Sequence, residues 1–77
     1  MSGIVVVAEN GSGRYQQAIT VGQHQLIADE PESLGGNDAG PAPFDLLMAG
    51  LGACTSITLR MYAERKALNL TQVSVAL

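Results

Sequence analysis

Between Phe44 and Tyr62 the chain carries a stretch that can be stable in water only as a helix with most of its sides covered. Leu47, Leu51, Cys54 or Thr55, Thr58 and Tyr62 recur at helical spacing, and Leu46, Met48, Ile57, Leu59 and Met61 widen the apolar surface almost all round until Arg60. A helix apolar on most sides belongs in a core. We therefore expect a long buried helix over residues 44–66. Pro43 suits its first turn, and Arg65 and Lys66 complement the C-terminal end of the helix dipole. As a membrane span the run reads as too short, carries Asp45 and is diluted by Gly, Ser and Thr, so no membrane role is expected.

So much apolar helix is hard to cover with the rest of a 77-residue chain. One small domain of this size buries only roughly 60–65% of its unfolded surface. A single Cys allows no internal disulfide and a single His no metal cluster, so no metal is expected. With 47% hydrophobic residues but few aromatics (Tyr15, Phe44 and Tyr62), the chain reads as an obligate oligomer and as part of a larger fold. The formal net charge of −3, with Arg14, Arg60, Arg65 and Lys66 as the only basic residues, supplies no basic stripe for nucleic acid. The N-terminal residues lack the positive region and longer apolar stretch of a signal peptide, and a cytoplasmic location is expected.

Before the helix the chain reads as an antiparallel meander over residues 3–29. Residues 3–9 are β-branched and apolar; Asn10-Gly11 supplies a hairpin turn; residues 15–21 alternate roughly; Gly22-Gln23 makes a second turn before His24 to Asp29. Residues 30–43 hold every Pro and read as a connecting loop, long enough that a functional role is in question. After the helix, residues 72–77 alternate again as a strand. The class is α+β.

Cys54 is the residue with chemistry to offer. A thiol acts as a nucleophile only as thiolate, and its acidity must be raised by a cation, a helix N-terminus or hydrogen bonds. Cys54 lies too deep in the helix for the N-terminal dipole, Arg60 points away from it, and Arg14 is the one basic residue outside the helix and its end. Two readings stay open: a packed small hydrophobe, or a nucleophile served by Arg14. Gly50 and Gly52 each cost a helix about 1 kcal/mol relative to Ala. Close packing and an approach path to the thiol explain them equally well. Asp45 reads as a first-turn charge, Met48 and Met61 as packing, His24 as a strand residue, and Arg60 with Glu64 as a solvated i,i+4 pair.

Pro43-Phe44-Asp45-Leu46-Leu47, with Ala53-Cys54-Thr55 further along the same helix, the Gly35-Gly36-Asn37-Asp38-Ala39-Gly40-Pro41 loop and the residues from Val73 to Leu77 resemble the OsmC/Ohr family, the osmotically inducible and organic hydroperoxide resistance proteins. The resemblance spans essentially the whole chain, which matches the N-terminal half of a typical member. It is closest to a less characterised subgroup, some of whose members are fused to hydrolase domains. It implies an intertwined homodimer with active sites at the subunit interface, and thiol-dependent reduction of organic hydroperoxides in oxidative stress defence. The peroxidatic role falls on Cys54 and that of thiol activator on Arg14, with no bound cofactor and with an external thiol reductant of lipoyl or small dithiol type.

Two departures accompany the resemblance. The best studied peroxidases carry a Glu where this chain has Phe44, and Asp45 sits one step on, rotated by about 100°. The family's resolving cysteine has no counterpart among these residues, so a sulfenic acid on Cys54 would require an external thiol or overoxidise. Phe44, Asp45, Leu47, Met48 and Leu51 are the candidate pocket residues. The rival expectation is a non-catalytic dimeric binding or structural module, a truncated or degenerate relative in which Cys54 only packs.

Overall fold

The computed structural model describes residues 3–77. The chain forms two compact units, Met1–Leu46 and Leu47–Leu77, taken in turn below.

The first unit holds a three-stranded antiparallel sheet of order β1-β2-β3, with β1 at Val5–Glu9, β2 at Gln17–Val21 and β3 at His24–Ala28. Val5 pairs with Val21 and Glu9 with Gln17, then Val21 with His24 and Gln17 with Ala28. Gly22 takes φ +60° in the two-residue turn between β2 and β3, and Gln23 does not follow it into positive φ. That fits a turn with Gly at its first central position. The other connection differs from expectation. Asn10 does not close a tight hairpin with Gly11; its side-chain oxygen accepts the Ser12 N–H at 3.0 Å, and its own N–H reaches the Gln16 carbonyl at 3.5 Å. The local Asn turn competes with strand pairing. The second strand consequently begins at Gln17 rather than at residue 15, and Arg14 and Tyr15 fall in the loop.

Beyond β3 the chain makes a short 3₁₀ turn, Glu32–Leu34, which ends at Gly35 with its N–H on the Glu32 carbonyl. The following residues fold back along the end of β3. Asp38 N–H donates to the Glu30 carbonyl and Asp29 N–H to the Pro41 carbonyl, both at 3.1 Å. The approach is close enough to require glycine: a Cβ at Gly36 would run into the carbonyl of Glu30, and one at Gly40 into that of Ile27.

Helix α1 runs from Pro43 to Arg65. Pro43 takes the first helical position, where its missing N–H costs nothing. Asp45 reaches back to accept the Ala42 N–H at 3.2 Å, one half of a capping box.

In the second unit α1 ends in a Schellman closure, with Ala67 N–H on the Glu64 carbonyl at 3.2 Å and Leu68 N–H on that of Ala63 at 2.8 Å. The residues after it return along the helix. The Arg60 guanidinium donates to the carbonyls of Leu70 at 3.1 Å and Thr71 at 3.4 Å, so Arg60 serves the returning tail and not the expected pair with Glu64. A Cβ at Gly52 would meet the side chains of Leu77 and Val75, whereas Gly50 faces open space. Close packing thus accounts for Gly52. Residues 72–77 do not form a strand here: among the described residues no neighbouring strand takes up their backbone groups, and a ladder needs two.

The expected burial of the helix is not met within this chain. Phe44, Leu47, Leu51, Ile57 and Met61 are each more than half exposed, and among the described residues only Ala28, Asp29, Gly36 and Ala63 are buried. The short tail is too small to cover a face this wide. At 23 residues and a mean hydropathy of 1.3 over an 18-residue window, α1 also has the length and composition to cross a membrane. Its length is therefore no argument against a span. Asp45 and the small polar residues Thr55, Ser56 and Thr58 are what remain against one.

Candidate functional site

Cys54 lies near the middle of α1 and is exposed. Its neighbours in sequence, Gly52, Ala53 and Thr55, are small, and the Thr55 hydroxyl is turned inward to donate to the Leu51 carbonyl at 2.9 Å. Phe44, Leu47, Met48 and Leu51 follow one another at three- and four-residue intervals, so the helix sets them on a single stripe that continues to Cys54 and Thr55. All four are exposed. Together they form an apolar track leading along the helix toward the thiol.

Asp45 stands apart from that track. Its carboxylate is engaged at Ala42, where it satisfies an N–H that no helical carbonyl can reach and places a negative charge at the positive end of the helix. Helix capping accounts for its placement.

Arg14 belongs to the first unit and Cys54 to the second. In its loop Arg14 is exposed, with its guanidinium carbon 4.9 Å from the centre of the Tyr15 ring, a cation–π contact. Its Nη1 also lies 3.3 Å from the point where Gly35 would carry a Cβ, and Tyr15 Cε2 lies 3.2 Å from the same point. A glycine at position 35 leaves room for both side chains.

No spacing or motif in the sequence singles out Asp29. It is 2% exposed, and its carboxylate is fully engaged: Oδ1 accepts the Glu30 N–H at 2.8 Å, and Oδ2 accepts the N–H groups of Asn37 and Ala39, both at 3.1 Å. Burial pushes the carboxyl pKa up, but the bonds from Ala39, Glu30 and Asn37 outweigh it and hold the group below the ordinary Asp value. The visible signal was an Asp between a strand and a Gly-rich return loop, a position where such side chains bond nearby backbone N–H groups. Beside it is a cleft of about 370 Å³ lined by Tyr15, Gln17, Asp29, Glu30, Leu34 and Pro43, among others.

The Gly-rich loop from Gly35, the helix with its cysteine and the returning tail are also the part of the chain that known proteins share. The family model described as OsmC-like protein matches residues 35–77. No curated protein and no solved structure matches the chain. With more than half of its length inside that match, the chain belongs to the OsmC-like protein family.

Proposed function

We propose that the chain is a thiol-dependent peroxidase that reduces organic hydroperoxides, within the peroxide and osmotic stress roles that OsmC-like membership supports. The observation that carries this reading is Cys54: exposed, flanked by small residues, and inside the segment the family model matches. In the proposed reaction the Cys54 thiolate attacks the distal peroxide oxygen. An S–O bond forms as the O–O bond breaks, and the departing alkoxide takes a proton to become the alcohol. Cys54 is left as a sulfenic acid, two electrons more oxidised. An external dithiol of lipoyl or small-molecule type returns those electrons, releasing water and restoring the thiol. Arg14 favours the thiolate by its positive charge. Phe44, Leu47, Met48 and Leu51 receive the alkyl group, each buried CH₂ contributing about 0.8 kcal/mol toward organic over inorganic peroxide.

The exposed apolar surface of α1 supports a homodimer, with a second copy covering that face, in a cytoplasmic protein. The test is the rate of Cys54 oxidation followed by intact mass. Cumene hydroperoxide is expected to react about tenfold or more faster than hydrogen peroxide, and Arg14→Ala to slow it about tenfold. A second reading, a non-catalytic dimeric module, draws support from the stacking of Arg14 on its own neighbour Tyr15. Oxidation no faster than that of a free thiol and indifferent to Arg14 would decide for it.

A further inference from the structure

Among the described residues Asp29 is the buried charge, and the proposed chemistry makes no use of it. Its oxygens take three backbone N–H groups, two of them from residues eight and ten positions ahead. One side of the held segment, Gly35 to Asn37, faces the loop between β1 and β2. There the Asn37 side-chain nitrogen lies 2.7 Å from the point where Gly13 would carry a Cβ, while Arg14 Nη1 and Tyr15 Cε2 lie 3.3 Å and 3.2 Å from the corresponding point on Gly35. Residues 13–15 therefore rest on residues 35–37, and residues 37 and 39 hang on the carboxylate of Asp29.

We propose that Asp29 is a positioning residue for Arg14: by holding the N–H groups of Asn37 and Ala39 it fixes the segment against which the Arg14 guanidinium and the Tyr15 ring lie. This deepens the peroxidase reading and rests on it for what Arg14 does at the thiol. The need for such a support follows from the side chain itself. An exposed Arg samples many rotamers, so its charge is rarely at one point unless a surface confines it. The flat Tyr15 ring and the bare backbone of Gly35 form that surface. A carboxylate suits the latch because it is an acceptor only, and its bonds to N–H groups are charge-assisted. An amide at position 29 would turn an NH₂ toward one set of N–H donors and lose the charge.

The test is NMR of the full chain, reading the Arg14 Nε–H and δ-proton shifts that the Tyr15 ring imposes, in the native protein and in Asp29→Asn. The variant is expected to lose most of that ring shift. Its oxidation by cumene hydroperoxide is expected to slow to the level of Arg14→Ala, with the double variant no slower than Arg14→Ala alone. An unchanged Arg14 shift in a folded Asp29→Asn protein overturns the proposal. Should that variant fail to fold, Asp29→Glu keeps the charge but carries its oxygens one methylene beyond the positions that hold the N–H groups of Asn37 and Ala39. It must also reduce the shift, and an unchanged value overturns the proposal equally. If the shift is lost but peroxide rates stay unchanged in both Asp29→Asn and Arg14→Ala, the positioning of Arg14 stands and its role at Cys54 falls.

Discussion

Leu68 donates its backbone N–H to the carbonyl of Ala63 at 2.8 Å, and the turn that makes this possible forces Ala67 to φ +55°. A left-handed conformation costs a residue with a Cβ roughly 1–2 kcal/mol, and glycine is the usual occupant at this point of a helix end. Ala67→Gly is expected to stabilise the chain by about 0.5–1 kcal/mol, the gain reduced by glycine's greater freedom when unfolded. Urea unfolding measures it directly.

Two glycines separate packing from exposure. A Cβ on Gly50 meets nothing within 4 Å, so Gly50→Ala should gain about 1 kcal/mol of helix propensity. A Cβ on Gly36 meets the Glu30 carbonyl, which is backbone and cannot step aside, so Gly36→Ala should lose about 1–3 kcal/mol. Destabilisation by Gly50→Ala in the same urea series would mean that another protein surface lies against that turn of the helix.

Asp45→Ala removes the acceptor of the Ala42 N–H and a favourable first-turn charge. A loss of about 0.5–1 kcal/mol in stability is expected. The rate of Cys54 oxidation by cumene hydroperoxide should stay at the native level, because Asp45 is engaged in capping. A rate that drops out of proportion to stability would return Asp45 to the substrate pocket.

The depressed pKa of Asp29 fixes the sign of an acid effect. Its stabilisation is fully present above the unfolded value, near the ordinary 3.8, and is lost as pH falls through the lower folded value. The difference in urea midpoint between native protein and Asp29→Asn should therefore be constant from neutral pH down to about 5 and shrink below about 4. A difference that grew on acidification would contradict the latch.

The extent of the helix, its start at Pro43 and the turn at Gly22 were legible because each leaves a periodic or single-residue mark. The start of β2 was not, because the Asn10 side chain bends its loop back on Ser12 and delays pairing until Gln17. Spacing pointed Arg60 at Glu64, yet its partners are carbonyls that follow the end of the helix, and a carbonyl has no residue type to read. The same reason hid Asp29, whose partners are backbone N–H groups up to ten residues away. Periodicity recorded that the face of α1 requires cover; it carries no information on which chain provides it. At the candidate site, the helical placement of Cys54 followed from its spacing, whereas the surroundings of Arg14 depend on a close approach of two loops.

The uncovered face of α1 makes protein concentration a structural variable. Side chains such as Leu47, Leu51 and Ile57 stand in water in the single chain, so any association that covers them adds to folding stability by mass action. For a dimer, each tenfold dilution would remove about 1.4 kcal/mol per complex, as much as a damaging point substitution. Midpoints compared between variants thus carry meaning only at matched concentration, and in a cell the abundance of the chain would itself set the fraction that is folded.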